Sequence, residues 1–478
     1  YGIIGAVVER IPDFMKKAIL IAIPVLLIVY VLFVCVPYTG QGTATEETKE
    51  NFHIEEFYND TESGERAKIL FTNEEALKER LSLIANARER IVLSTFDFKA
   101  DNSGKWMLSA LYNAAERGVQ VEILIDGFSF FSLKSGKEYF KALGSLPNAT
   151  IKIYNPVNFL NPTKLMARLH DKYLIVDDTA YIVGGRNTYD YFLGDETDYK
   201  NYDWDVLVYG EDAFPSLKEL QAYAGTMWEN ADSKVKCEEK NPGSRTLRAA
   251  EELKSLYEKG LSEYPGWFVK RDYREETEPV NKITILTNPI QAGIKEPVLF
   301  YEMTELMAQA GEPVIFHTPY IMCNDYMMER LKEVCDSTET TMMTNSVANN
   351  GNPFGAVDYQ VHRQALLDTG LAILEYDKGV SYHGKCFRIG DRLTAIGSFN
   401  WDMRSAYLDT EMMLVIDSKT LNAQMRDYME SYEQDAFFVN ADGSVKEKDG
   451  VLPQTLSGKR KWRVWFIRPF DGLLRFLM

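Results

Sequence analysis

The sequence predicts an α/β fold of two homologous α/β/α sandwich halves in a pseudo-twofold arrangement, preceded by one N-terminal transmembrane helix. Three observations predict it. An uninterrupted apolar run lies near the N-terminus, strand and helix patterns alternate in two separate stretches, and one constellation of polar residues occurs twice at the same spacing. At 478 residues the chain is too long for one ordinary core. It suits two domains of roughly 150–200 residues each.

The N-terminal segment, 1–38, holds the apolar run Ala18–Val36, which is 19 residues without a charge. At about 1.5 Å per residue it covers roughly 28 Å, close to the hydrocarbon thickness of a bilayer. Pro24 bends such a helix without excluding it. Lys16 and Lys17 abut the N-terminal end, and the flank after Tyr38 is polar and acid-leaning. The positive-inside rule then places the N-terminus in the cytoplasm and the remainder on the extracytoplasmic side of a cell membrane, as a single-pass protein. A cleaved signal peptide has a shorter apolar region, about 7–15 residues, so an anchor is expected.

Residues 39–66 are polar and read as a tether. The first half, 67–235, opens with a strand-like AKILFT and a helical NEEALKERLSLIANARER. The strand IVLSTFDF, the helix GKWMLSALYNAAERG and the strand VQVEILIDG follow. Gly118 stands where a helix C-cap belongs. Residues 236–280 are charge-rich, contain Pro242, Gly243, Pro265 and Gly266, and read as a connection between halves. The second half, 281–440, restarts the alternation with ITILTNP, PVLFYEMTELMAQA, EPVIFHTPY, MMERLKEVCD, TTMMTNS, YQVHRQALLDTG and LAILEYD. Such alternation argues for layered α/β halves with a mixed or parallel sheet.

The chemistry is expected where the repeat is tightest. His170-Asp171-Lys172 is followed by Gly184-Gly185-Arg186-Asn187, and His383-Gly384-Lys385 by Gly397-Ser398-Phe399-Asn400. In both copies Lys lies two residues after His, the first Gly fourteen and Asn seventeen. Residues two apart in a strand share a face, so His and Lys project together. Turn signals at Asp177-Asp178 and Gly390-Asp391 imply a hairpin that returns the Gly-x-x-Asn segment beside the His. Glycine there lets the backbone approach a ligand closely. A lone His-x-Lys is ordinary strand, and a lone Gly-x-x-Asn is ordinary turn. Two copies in register, in a chain with five histidines, point to a site for a phosphate diester.

These residues resemble the HxKxxxxD signature of the phospholipase D superfamily. The first copy is complete with His170, Lys172 and Asp177. In the second, Gly390 stands where the acid belongs and Asp391 follows one position later as its candidate replacement. The resemblance covers most of residues 67–437 and is closest to bacterial cardiolipin synthases, through STFDFKADNSG, VGGRNTYDYF, TPYIM and IGSFNWDMRSAYLDTEMMLVI. It implies phospholipase D-like halves and two-step covalent catalysis. One His, assigned as His170, attacks phosphorus and forms a phosphohistidine, and the other, His383, protonates the leaving alcohol and then deprotonates the incoming one. Lys172, Lys385, Asn187 and Asn400 would hold the phosphoryl oxygens, with Gly185 and Ser398 at the substrate. An acid after each Asn would orient each imidazole: Glu411 in the second half, and in the first Asp205, with Asp203 as the alternative. No metal or other cofactor is called for, since two lysines supply positive charge. His317 lines the cleft or packs at a strand end, while His362, on a helix pattern, reads as structural and His53 as uninvolved.

The C-terminal tail, 441–478, ends in KRKWRVWFIRPFDGLLRFLM. Six Lys or Arg against one Asp give residues 459–478 a local charge of +5 in a chain of −17. Basic plus aromatic composition suits the interface of an anionic membrane, so membrane contact is expected through 18–36 and 459–478. The overall acidity argues against nucleic acid as a partner. Five cysteines without a CxxC pair make a cysteine zinc site unexpected.

The leading functional expectation is a transphosphatidylase that makes cardiolipin from phosphatidylglycerol, with phosphatidylethanolamine as another candidate phospholipid. The alternatives are a membrane-bound phospholipase D that hydrolyses phospholipids to phosphatidic acid, a phospholipase D-like nuclease, and a degenerate scaffold suggested only by Gly390.

Overall fold

The computed structural model describes residues 12–129, 135–195, 197–237, 240–448 and 451–477. Of the expected N-terminal segment, residues 1–11 lie outside the described residues, as do 449–450 and Met478 of the expected tail. The apolar run forms the helix Asp13–Cys35 with Pro24 inside it. The stretch Lys17–Tyr38 is long and apolar enough to cross a membrane, and little of it is buried.

The first half is built on a nine-stranded sheet. Its strands are β1 (Arg66–Leu70), β2 (Arg90–Thr95), β3 (Gln120–Asp126), β4 (Ala149–Tyr154), β5 (Tyr173–Val176), β6 (Ala180–Gly184), β8 (Asp205–Tyr209), β9 (Ser233–Cys237) and β10 (Glu278–Pro279), with the short β7 (Asn201–Tyr202) outside it. The spatial order is β10-β1-β8-β6-β5-β2-β3-β4-β9. The second half repeats it with β11 (Lys282–Thr287), β12 (Val314–His317), β14 (Thr340–Asn345), β15 (Ala372–Tyr376), β17 (Cys386–Ile389), β18 (Leu393–Gly397), β20 (Met412–Asp417) and β21 (Ala436–Phe438). The short β13 (Ile321–Met322), β16 (Ser381–Tyr382) and β19 (Trp401–Asp402) lie outside this second sheet. Its order is β11-β20-β18-β17-β12-β14-β15-β21. Strand by strand the two orders agree, with β10 the one addition. The hand of each pairing agrees too: β2–β3–β4 and β12–β14–β15 run parallel and the remaining neighbours antiparallel.

Local chemistry accounts for the element ends. Thr72 caps the helix Asn73–Asn86 by accepting the Glu75 N–H at 3.1 Å. Asp101 caps Asn102–Glu116 through the Gly104 N–H at 3.1 Å. That second helix ends before Gly118, whose φ of 98° only glycine adopts readily. One core fills the space between the first sheet and the helices Asn73–Asn86, Asn102–Glu116 and Ser244–Glu263. A second fills the corresponding space in the other half. A third lies between the halves, where Ala67, Tyr173 and Val206 meet Ile283, Leu414 and Ile416 under the helices Pro215–Glu229 and Lys419–Glu433.

One expectation about the linking segments is corrected. Residues 39–66 are no free tether. The Phe52 and Phe57 rings pack at 5.7 Å, and Phe52 also meets the Tyr301 ring edge at 6.3 Å. The Thr45 N–H donates to Glu296 Oε1 at 2.7 Å and the Asn59 N–H to Asp417 Oδ2 at 2.8 Å. The few apolar residues of this polar stretch enter the second core, and its backbone follows them. The segment 236–280, expected to connect the halves, is a packed and partly helical stretch. Its helix Ser244–Glu263 packs on Asn102–Glu116, and its β10 pairs with β1.

Candidate active site

Each His-x-Lys sits at the entry to a hairpin, β5–β6 in the first half and β17–β18 in the second. The alternation of a strand sorts the side chains. Asp171, between His170 and Lys172, turns inward to Ser94 Oγ (2.9 Å) and the Tyr223 hydroxyl (2.6 Å). At Gly384, between His383 and Lys385, a Cβ would overlap the Trp204 indole, so only glycine fits. The hairpins close as the spacing requires: the Gly184 N–H donates to the Lys172 carbonyl and the Gly397 N–H to the Lys385 carbonyl, both at 3.2 Å.

Both imidazoles face one cavity of about 390 Å³ that lies between the halves, lined also by Asn187, Asn400, Phe96 and Phe192. The ring of Phe96 stands edge-on to His170 at 5.5 Å and that of Phe192 edge-on to His383 at 5.0 Å. The orienting acids cross over. His170 Nδ1 meets Glu411 Oε1 of the second half at 2.8 Å, and His383 Nδ1 meets Asp203 Oδ2 of the first at 2.6 Å. The backbone crosses in the same way: the His170 N–H donates to the Thr410 carbonyl (3.1 Å) and the His383 N–H to the Tyr202 carbonyl (2.7 Å). A carboxylate at Nδ1 selects the Nδ1–H tautomer and leaves Nε2 for the ligand. The histidines are 13% and 21% exposed, and the two acids are fully buried.

Asp205, expected beside an imidazole, is corrected to Asp203. Asp205 accepts from Arg186 Nη1 at 3.1 Å and pairs with Arg80 at 3.0 Å, away from His383. Sheet register gives the reason. The Gly185 N–H bonds the Trp204 carbonyl as the Ser398 N–H bonds that of Met412, so Asp203, one residue earlier, is the counterpart of Glu411. Glu411 lies 11 residues after Asn400, whereas Asp203 lies 16 after Asn187. Five extra residues hid the match.

Asp177, the acid of the complete first signature, holds a structural position and not a catalytic one. At φ 51° it ends β5 at the far end of the hairpin, and its carboxylate accepts the N–H groups of Arg88, Glu89 and Arg90 at 2.8–3.0 Å. Gly390, at φ 54°, holds the same turn, with its N–H on the Pro313 carbonyl at 2.9 Å. A Cβ there would press on the Glu312 stem at 3.1 Å. Asp391 does not replace the missing acid; it is exposed and pairs with Lys419 at 3.3 Å. Gly185 and Ser398 also do not line the cavity. A Cβ on Gly185 would collide with Asp203, and Ser398 Oγ donates to Glu411, so both serve the acids rather than the ligand.

Lys172 and Lys385 are buried beside the imidazoles. Lys172 Nζ donates to the His170 carbonyl, and Lys385 Nζ to the His383 carbonyl and to Asp203 Oδ2 at 3.1 Å. Asn187 accepts the Asp97 N–H at 3.2 Å through Oδ1, which leaves its Nδ2 group for a ligand. Asn400 donates to the Tyr320 hydroxyl at 3.2 Å, and its Oδ1 is buried without a partner among the described residues. Arg404, which the sequence reading passed over, reaches the cavity wall locked to Asp409 at 3.0 Å.

Burial sets the protonation states. It pulls Lys172 down to about 8 and lowers Lys385. Burial, with Lys172 adjoining, drives His170 well below the usual imidazole range. Burial and Lys385 bring His383 down to about 4, against the opposing pull of Asp203. Burial pushes Glu411 up to about 7. It would raise Asp203 as well, but Lys385 and His383 outweigh it and hold that carboxyl at about 2.

His317 and His362 are structural. His317 is fully buried, with Nδ1 on the Tyr382 hydroxyl (2.8 Å) and Nε2 on Glu433 (3.0 Å). His362 lies 3.4 Å from Asp471, and Asp358 beside it is already paired with Arg475 at 2.9 Å, so this cluster fastens the tail. The five cysteines form no disulfide among the described residues.

Residues 81–228 and 303–432 match the family described as cardiolipin synthase, PLD-like domain. The chain is 26% identical to cardiolipin synthase C of Escherichia coli K12 over 399 residues, 74% of this chain and 81% of that protein. It is 23% identical to cardiolipin synthase B of Salmonella typhi over 429 residues, 87% and 90%. Its fold is similar to the crystal structure of a phosphatidylserine synthase from Haemophilus influenzae, with a TM-score of 0.62 at 15% identity, covering 91% of this chain and 99% of that one.

Proposed function

The chain belongs to the cardiolipin synthase, phospholipase D-like family, and from that membership we propose that it is a membrane-anchored transphosphatidylase making cardiolipin from phosphatidylglycerol through a phosphohistidine. The observation that carries this reading is the pair of imidazoles on one cavity, each with Nδ1 engaged by a carboxylate of the opposite half.

In the first step His170 Nε2 attacks phosphorus, the bond from phosphorus to the head-group oxygen breaks, and His383 gives its Nε2 proton to that oxygen, releasing glycerol. In the second step a head-group hydroxyl of another phosphatidylglycerol attacks, His383 takes its proton, and the phosphorus–nitrogen bond breaks to free His170. The low position of Asp203 supports this division of roles. A fixed carboxylate at Asp203 pulls His383 up against burial and Lys385, while Glu411, pushed up to about 7 by burial, gives His170 less such support. Lys172, Lys385, Asn187 and Asn400 would meet the non-bridging oxygens and stabilise the charge that builds in the transition state.

The helix Asp13–Cys35 would anchor the enzyme, with Lys16 and Lys17 keeping its N-terminal end in the cytoplasm and the catalytic body outside. The C-terminal helix Gly458–Ile467 exposes Trp462, Trp465 and Phe466, and the Phe476 carbonyl accepts from Gln41 Nε2 at 2.9 Å, just past the end of the anchor. That placement supports the tail as a second contact with the bilayer.

Purified protein in phosphatidylglycerol vesicles tests the proposal. Cardiolipin with equimolar glycerol is the expected product. Phosphatidic acid in its place would make the enzyme a hydrolase, and no turnover of any phospholipid would reject the reading.

A further inference from the structure

Residues 155–169 lead from β4 to the His170 hairpin and run past the N-terminal helix. Within them Asn158–Asn161 forms a tight turn. The Asn161 N–H donates to the Asn158 carbonyl at 3.0 Å, and the Leu160 N–H to Asn158 Oδ1 at 2.9 Å. The central positions of such a turn ordinarily carry glycine, proline or small polar residues. Here they carry Phe159 and Leu160, 62% and 93% exposed. Single exposed apolar residues need no explanation, but two large ones side by side at a braced turn tip point to an apolar partner.

The position of the tip identifies that partner. The Tyr30 hydroxyl donates to the Phe159 carbonyl at 2.9 Å. The Tyr38 hydroxyl donates to the Pro162 carbonyl at 3.0 Å and accepts the Met166 N–H at 3.0 Å. Tyr30 lies six residues before Val36, the end of the apolar run. At about 1.5 Å per residue the tip therefore reaches roughly 9 Å back along the helix from that end. A bilayer that covers the run also covers the tip. From there the chain leads directly to the cavity: the Met166 carbonyl accepts from Arg404 Nη2 at 2.8 Å, and His170 follows four residues later.

We propose that Asn158–Leu165 is a membrane-dipping lip, with Phe159 and Leu160 seated in the acyl-chain region of the leaflet that holds the C-terminal end of the anchor. The lip sets the cavity beside the bilayer surface, so a phosphodiester enters while its acyl chains stay in the hydrocarbon. This rests on the reading of Lys17–Tyr38 as a membrane span.

The test uses the full chain in phosphatidylglycerol vesicles. For a Phe159→Asp, Leu160→Asp double variant, the ratio of the rate on vesicles to the rate on monomeric short-chain phosphatidylglycerol is expected to fall at least tenfold. A ratio within twofold of the unaltered protein overturns the lip. A Leu160→Trp variant reads position independently of activity and of the double variant's folding. Lipids brominated on their acyl chains should quench the added emission, and an unquenched signal also overturns the proposal. Alkaline carbonate extraction separates the two readings. Release of the unaltered protein refutes the span, and with it the lip. Retention of the protein, together with unquenched emission from the Leu160→Trp variant, refutes the lip alone.

Discussion

Replacing Asp203 by Asn keeps the shape of the side chain and removes its charge. In the structure that charge lies 2.6 Å from His383 Nδ1 and 3.1 Å from Lys385 Nζ, in a fully buried setting. A buried charge-assisted bond contributes about 1.5–3 kcal/mol. The same contact counted as an ion pair with the imidazolium comes to about 4 kcal/mol at an effective dielectric of 20. Of the two states of the imidazole, the protonated one feels the larger loss, so the cost falls on the step in which His383 acts as acid. At about 1.4 kcal/mol per factor of ten, about 1.5–4 kcal/mol lowers kcat for cardiolipin formation roughly 10- to 10³-fold with KM little changed. The pH profile should move as well. Asp203 raises the His383 pKa, so without it the decline in rate with rising pH should set in at lower pH. Asp205→Asn is the internal control. It leaves Arg80 and Arg186 without their buried counter-ion, a loss of about 3–5 kcal/mol of stability, and should lower the melting temperature instead. Initial rates on vesicles and thermal unfolding of both variants decide the matter. Turnover of Asp203→Asn within threefold of the parent, or an inactive Asp205→Asn at an unchanged melting temperature, would refute the role assigned to Asp203.

His170→Ala should abolish both the phosphoenzyme and the product, whereas His383→Ala should still form phosphoenzyme from a substrate with a p-nitrophenolate leaving group, which needs no proton; acid-quench trapping of labelled substrate distinguishes them. Asp177→Ala frees three backbone N–H groups and should cost about 1–3 kcal/mol in urea unfolding, with kcat at 25 °C changed less than twofold. Glu411, raised from 4.5 to about 7 by burial, holds its proton more tightly folded than unfolded, so its contribution to stability falls as pH rises from 4.5 to 7 and is complete in its loss above that. Glu411→Gln should therefore flatten the decline in unfolding free energy between pH 5 and 7.5, measured in urea.

Much of this arrangement was legible in the residues. Spacing from His170 to Asn187 and from His383 to Asn400 implied two equivalent hairpins, because a period of two and a central turn leave a strand pair little choice. Three features were not legible, each for its own reason. The acid beside His383 hid behind a five-residue length difference that only sheet register resolves. Asp177 carries the signature of the superfamily yet faces backbone amides, since an acid's place in a motif says nothing about which end of the hairpin it occupies. The course of 39–66 depended on where Phe52, Ile54 and Phe57 find room, and average polarity does not report that.

The crossed carboxylates have a consequence for how the molecule can change. Neither half owns a finished reaction centre: His170 borrows Glu411, and His383 borrows Asp203. A hinge that parted the halves would strip both imidazoles of their orienting groups in one movement. Turnover must then proceed with the seam shut, and lipid must come and go through the rim of the cavity. The same reciprocity ties the two copies together over time, because a substitution that loosens the acid on one side is felt in the chemistry of the other.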